Sequence, residues 1–340
     1  MSMMTAVSCV RPNVLELVQR PRPTRQDHEV LVRVRRIGIC GNDYHIFAGQ
    51  HPFLAYPRIM GHELAVEILE APPGSLFRAG DTAVVNPYLS CGTCIACRNG
   101  KPNCCMNIAV LGVHIDGGMC EQMCLPAANL IKSDGLSLDE CATVEFLAIG
   151  AHSVRRADLR RGERILIAGA GPIGIGVALF AHIAGARVVV MDRDPERLTM
   201  VEDVLENCET VLADDEAAAV IARMTSGEGF DAVFDATGNN LSIEKGFNFV
   251  AHGGRYILVS VVNHQISFSD PEFHKREMMV IGSRNATEQD FRHVIEGIKA
   301  DNVPVARLVT HRTSLANVVT DLPLWAVQKH GLIKAMVEIE

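Results

Sequence analysis

No run of basic residues occurs anywhere in the chain. Asp and Glu outnumber Lys and Arg 40 to 32, which leaves a formal charge of -8 and a pI near 5.9. A surface without a concentrated positive patch does not collect phosphates, so nucleic acid and anionic membranes are excluded as expected partners. The N-terminal stretch MSMMTAVSCVRPNVLELVQR lacks a basic start followed by an unbroken apolar block, because Arg11 and Pro12 interrupt it. No signal peptide is therefore expected, and the protein is expected in the cytoplasm. Internal repeats and low-complexity segments are also missing. What remains is a chain of 340 residues, 48% hydrophobic and 21% charged, which describes a globular protein able to bury two cores.

Without an export signal, thiols sit in a reducing compartment, where clustered cysteines bind metal or do redox work more often than they pair. The chain has 11 cysteines, an odd number, and five of them fall within CGTCIACRNGKPNCC at 91–105. Cys91, Cys94 and Cys97 follow one another at two-residue gaps, and a fourth thiol comes from Cys104 or Cys105. Two-residue gaps let a backbone curl round one ion with its amides aimed at the sulfurs. Four thiolates with no open position make a structural zinc site, which contributes folding energy rather than chemistry. The competing reading is a set of buried or redox-active thiols.

A looser set lies upstream. GICGNDYHIF carries Cys40, Asp43 and His45, and MGHELAVEI carries His62 and Glu63. One thiolate, one imidazole and one or two carboxylates form the mixed set of a catalytic zinc, which keeps a position open for water or substrate. Taken singly, Cys40 reads as a small core residue and His62 as a hydrogen-bonded one.

Asp, Glu, Lys and Arg are all missing between Ile165 and Ala186, a length that would span a bilayer. Pro172 and the glycines from 169 to 176 interrupt it. The alternative is a buried strand, a turn and its covering helix. An apolar run leads into Gly169, Gly171 and Gly174 at G-x-G-x-x-G spacing, a helix is expected to about Ala184, and a second strand, Val188 to Met191, ends on Asp192, 18 positions past Gly174. The glycines allow backbone approach to a pyrophosphate, the helix N-terminus faces its charge, and the late acid meets the ribose hydroxyls. Asp192 would repel a 2′-phosphate, which favours NAD over NADP, while Arg193 next to it argues the other way.

Short alternating strands (EVLVRVRR, ELAVEILEA, DTAVVNPYL) up to about residue 135 suggest a closed or partly closed antiparallel body. Ser137 and Glu140 make a capping box opening a helix through FLAIGAHSVRRA. From 164 strands and helices alternate as in a doubly wound parallel sheet, with FDAVFDATG and GRYILVSVV as further buried strands. The tail beyond about Gly282 is expected to return to the first domain, and His274, Lys275 and Arg276 read as a solvated surface turn.

In this order, GICGNDYH, GHE, CGTCIACRNGKPNCC, VEFLAIGAHSV, GAGPIG and DATG resemble the zinc-containing medium-chain dehydrogenases, the family of alcohol, sorbitol and threonine dehydrogenases. The resemblance covers essentially the whole chain. It implies an α/β fold with a GroES-like, partly closed antiparallel β catalytic domain at 1–149 and 284–340 and a Rossmann cofactor domain, a doubly wound parallel sheet, at 150–283. It implies two Zn²⁺ per chain and NAD, a small-molecule polyol or sugar-acid substrate, and a homodimer or homotetramer. The catalytic zinc would be held by Cys40, His62 and a carboxylate, Glu63 or Glu145; the structural zinc would fall on Cys91, Cys94, Cys97 and Cys105. NAD would meet Gly169, Gly171, Pro172, Ile173, Gly174, Asp192, Arg193 and Thr237. His45 would carry the substrate proton to solvent.

Two positions depart from the family pattern. Asn42 stands where a Ser or Thr hydroxyl is usual, and an amide holds a hydroxyl but relays protons poorly. Phe146 replaces the proline of the usual EPLA, which bears on how Glu145 is presented. Within the family, VLGVHIDGGMCEQ, FSDPEFHKRE and IGSRNATEQDF resemble the bacterial sugar-acid and polyol branch. Arg284 could then grip a substrate carboxylate, or serve instead in a salt bridge or a cofactor contact. The expected reaction is hydride transfer from a secondary hydroxyl to NAD. The alternative is an NAD-binding regulatory or structural protein that kept the fold and lost turnover, with a zinc-free reductase as a third possibility.

Overall fold

The computed structural model describes residues 2–51, 54–328 and 330–340. They form two units, one of Met1–Phe146, Thr287–Asp301 and Leu308–Glu340, the other of Leu147–Ala286 and Asn302–Arg307.

The first unit is built round the strand Glu29–Ile39. It pairs antiparallel with Glu63–Glu70, Gln122–Pro126 and Lys334–Glu338 inside a seven-stranded sheet that also holds Leu130–Lys132, Thr82–Val85 and Val309–Ser314. The one parallel pair is Val309–Ser314 with Lys334–Glu338. Alternation explains the packing: Val30, Val32 and Val34 are fully buried, whereas Leu31, Arg33 and Arg35 between them stay partly exposed. The register against Glu63–Glu70 shifts between Val34 and Arg36, and beyond it Ile37, Gly38 and Ile39 are all enclosed. The strand therefore delivers Cys40 directly from the interior. Val7, Val32, Ile37, Met60 and Leu64 share its apolar core.

The helix Leu138–Ala157 opens with the expected capping box. The Ser137 amide donates to Glu140 Oε2 (2.7 Å) and the Glu140 amide donates to Ser137 Oγ (3.3 Å). Two turns on, it buries Glu145 and Phe146.

The second unit carries six parallel strands in the order Glu209–Leu212, Arg187–Asp192, Arg164–Ala168, Phe230–Asp235, Val250–Leu258, Met279–Gly282. That order reverses direction at the Arg164–Ala168 strand, as a doubly wound sheet does. The uncharged stretch divides into this strand and the helix Pro172–Ile183, both buried. Among the described residues no helix is long and apolar enough to cross a membrane. The expected surface turn at 274–276 is met at the end of the helix Asp270–Lys275: His274 and Lys275 are exposed, whereas Arg276, in the turn that follows, is half-buried and donates to Glu272, to the Val250 carbonyl (3.0 Å) and to the Asn248 carbonyl (3.3 Å). Its guanidinium satisfies carbonyls at the start of the earlier strand Val250–Leu258 and in the helical turn before it, a partnership that local polarity does not reveal.

Candidate active site

Cys40 follows the last residue of the Glu29–Ile39 strand and caps the helix Gly41–Phe47. Its amide donates to Asp43 Oδ2 (2.9 Å), while the amide of Gly61 donates to Asp43 Oδ1 (3.3 Å). The fully buried Asp43 carboxylate thus joins the Cys40 segment to the residue preceding His62. One ligand atom each from Cys40, His62 and Glu63 lie within 4.8 Å of one another.

The donor set fits a metal ion. His62 is buried and its Nδ1 has no hydrogen-bond partner among the described residues; an unpaired buried polar atom costs about 1–3 kcal/mol, which coordination to a cation removes. Burial pushes the Cys40 thiol up, although the His62 cation draws it down. Burial opposes the charged form of His62, yet the neighbouring Cys40, Asp43 and Glu145 hold its pKa well above the usual histidine value. Such groups surrender protons when a dication binds between them.

The two candidate carboxylates have different partners. Glu63, fully enclosed, receives two hydrogen bonds from Lys334 Nζ, at 2.7 Å to Oε1 and 2.8 Å to Oε2. Burial works against the Lys334 charge, but Glu63 and Cys40 outweigh it and raise its pKa above the ordinary lysine value. Glu145 is pushed up by burial and receives a hydrogen bond from the hydroxyl of Tyr88. Tyr88 is itself raised well above its ordinary value, by burial and then by Glu145, and its ring meets Phe291 edge-on at 6.4 Å. Sequence reasoning missed Tyr88 and Lys334, because neither belongs to a local motif. His45 and Asn42 lie exposed on the helix after Cys40; His45 Nδ1 is 3.4 Å from Gln50 Oε1.

The cysteine loop gathers Cys91, Cys94, Cys97 and Cys105 within 4.8 Å of one another, with Cys104 exposed. Cys94 Sγ lies 3.5 Å from Cys97 Sγ and 3.9 Å from Cys105 Sγ. A tetrahedron with zinc–sulfur bonds of about 2.3 Å has edges of about 3.8 Å, so the spacing fits that ion. Amides surround the sulfurs: Cys91 and Asn107 donate to Cys105 Sγ (3.2 and 3.3 Å) and Met106 to Cys94 Sγ (3.5 Å). The Thr93 amide and hydroxyl hold the Cys91 thiol down at about 5, thiolate at neutral pH.

In the second unit, a Cβ on Gly174 would lie 1.8 Å from the Gly169 carbonyl oxygen, so only glycine lets the helix start this close to the turn. Gly171 is its N-cap, and the half-buried Pro172 and Ile173 begin it. Asp192 accepts from the amides of Ala170 (2.7 Å) and Asp194 (3.0 Å), which fixes its carboxylate beside the glycine turn. Arg193 is exposed. Thr237 Oγ1 donates to buried Asp235 (2.9 Å), which holds the turn after the fourth strand of this unit. Arg284 is exposed, just beyond the Met279–Gly282 strand.

Comparison with known proteins agrees with this geometry. Residues 26–135 match the alcohol dehydrogenase GroES-like domain and residues 172–300 match the zinc-binding dehydrogenase domain. Across 341 aligned residues the chain is 38% identical to L-galactonate-5-dehydrogenase of Escherichia coli K12, covering 99% of both chains. It belongs to the zinc-containing medium-chain dehydrogenase family. As a member it is an alcohol/polyol dehydrogenase whose cofactors are zinc and a nicotinamide dinucleotide, and the reading as a regulatory or structural protein without turnover falls away. A further relative of this dehydrogenase is L-idonate 5-dehydrogenase of Vitis vinifera, 31% identical over 85% of this chain and 82% of the other. Among solved structures, an alcohol dehydrogenase from E. coli CFT073 complexed with NADH superposes with a TM-score of 0.93 at 26% identity, covering 100% of both chains.

Proposed function

We propose that this dehydrogenase reversibly oxidises a secondary hydroxyl of a polyol or sugar acid, of the L-galactonate type, with NAD. The carrying observation is the convergence of half-buried Cys40 with buried His62 and Glu63, where one His62 nitrogen lacks a partner among the described residues. The relatives named for L-galactonate and L-idonate support the substrate class. Cys40, His62 and Glu63 or Glu145 would hold a catalytic zinc, and Cys91, Cys94, Cys97 and Cys105 a structural one. When bound, zinc supplies Lewis acidity that acidifies a substrate hydroxyl, and NAD supplies the hydride acceptor. The balance is alcohol plus NAD⁺ giving ketone, NADH and one proton.

The chain's own residues then have separate tasks. The Asn42 amide holds a hydroxyl without relaying its proton, so the proton leaves through water or a carboxylate, and the exposed imidazole of His45 passes it to solvent. Arg284 offers a bidentate grip for a substrate carboxylate. Gly169 to Gly174 cradle the pyrophosphate, Arg193 and Thr237 flank the cofactor, and Asp192 selects NAD by its charge. Residues 1–149 and 284–340 would act as the catalytic domain and 150–283 as the cofactor domain. A homodimer or homotetramer is supported by the sheet edge Met279–Gly282, unpaired among the described residues, where Met279 is 51% and Val280 40% exposed. Reduced thiols suit the cytoplasm.

The experiment is NADH absorbance with a panel of polyols and sugar acids, run in parallel with NADP and repeated after chelation. Turnover on a sugar acid that vanishes with Cys40→Ser is the expected result. Full activity in that variant, or turnover on no polyol or acid, refutes the reading.

A further inference from the structure

Lys334 and Glu63 form an ion pair with side chains only 1% and 0% exposed. An ammonium has three N–H groups, and here all three have acceptors: Glu63 Oε1 at 2.7 Å, Glu63 Oε2 at 2.8 Å and the Ile39 carbonyl at 3.2 Å. Ile39 adjoins Cys40, and Glu63 adjoins His62, so one cation holds the chain next to both of the other metal-binding candidates. The ring of Phe146 covers it, with Nζ 4.2 Å from the ring centroid. This accounts for Phe146 where the family usually has proline, since a pyrrolidine offers the ammonium no aromatic face. On the other side, a Cβ on Gly38 would lie 2.0 Å from Glu63 Oε2, so glycine is what leaves room for the carboxylate.

A buried pair of this kind is commonly no more stabilising than two apolar side chains of similar volume, so stability alone does not explain it. We propose that Lys334 is the positioning residue of the metal centre: by engaging both oxygens of Glu63 it keeps that carboxylate a weak, releasable ligand, with Phe146 locking the ammonium in place. The inference rests on reading Cys40, His62 and Glu63 as a zinc centre. The ammonium draws charge from the carboxylate and lowers its donor strength; without it, Glu63 would be the stronger donor to a cation held there, would retain it longer and would reduce its Lewis acidity.

The test is zinc release from the purified, zinc-loaded protein into a chromophoric chelator, with Cys40→Ser identifying which phase belongs to this centre. Lys334→Met should release that ion about tenfold more slowly than the wild type, at the lower end of what outer-shell changes produce, while the cysteine-loop phase is unchanged. Lys334→Arg should restore most of the wild-type rate. Phe146→Leu keeps both charges and should lie between, and it carries the comparison if Lys334→Met does not fold. Release from Lys334→Met or Phe146→Leu that equals or exceeds the wild-type rate overturns the proposal. A wild type with no zinc phase sensitive to Cys40→Ser sinks the metal reading itself and this proposal with it.

Discussion

Tyr88 donates its phenolic hydrogen to Glu145 in a site where both side chains are buried. The two residues stand 57 positions apart, on a short strand and on a helix, and the bond gives the buried Glu145 carboxylate a hydrogen-bond donor. Replacing Tyr88 with Phe keeps the ring against Phe291 and removes only the hydroxyl. The carboxylate, already raised by burial, loses a donor that favours its charged form, so its pKa rises further. The acidic limb of the pH profile of kcat/KM should therefore move to higher pH, and stability should fall by about 1–3 kcal/mol in denaturant titration.

Cys104 and Cys105 are neighbours with opposite exposures, and only Cys105 faces the other sulfurs. Elemental analysis of Cys105→Ser should show one zinc per chain fewer than the wild type, with a lower Tm. Cys104→Ser should keep its zinc and change stability by no more than about 0.5 kcal/mol.

Asp192 is fixed beside the glycine turn by two backbone amides. Asp192→Asn would remove the charge proposed to repel a 2′-phosphate. Steady-state assays should show kcat/KM for NAD falling about tenfold, roughly 1.4 kcal/mol, while that for NADP rises.

In the second unit, buried Arg255 grips Glu163 and also donates to the carbonyls of Asp158 (3.2 Å) and Asp231 (3.3 Å). Burial alone would raise the Glu163 carboxyl, but Arg255 and the Arg160 amide together hold it below its usual 4.5. A depressed acid contributes stability above its unfolded pKa and loses it as pH falls through the folded value. Glu163→Gln should cost about 1 kcal/mol at neutral pH, a figure kept small because the group is partly solvated. The gap from wild type should close below pH 4.5, as thermal melts across pH would show.

Features whose partners lie close along the chain were legible beforehand. The Ser137–Glu140 box, the strand, glycine turn and helix after Arg164, and the cysteine loop each complete their geometry within a few turns of backbone, so residue type and spacing were enough to see them, although spacing left Cys104 and Cys105 as alternatives for the fourth thiol. Period-two alternation likewise announced Glu29–Ile39 as a strand with one buried face. The half-burial of Arg276 in its turn was not legible, because the acceptors Asn248 and Val250 come from another element.

Composition, spacing and periodicity by themselves determined an antiparallel β body followed by a doubly wound sheet, the clustering of the loop cysteines and the glycine turn, since each follows from local backbone geometry and from where apolar residues must go; the candidate ligand sets came from the family resemblance. Only the tertiary structure decided what surrounds them: the Lys334 ammonium on Glu63 from 271 positions away, the Tyr88 hydroxyl on Glu145, and the Asp43 carboxylate bridging Cys40 to Gly61. A buried charge or polar group must find its partner wherever the packed chain brings one, and sequence separation places no limit on that choice.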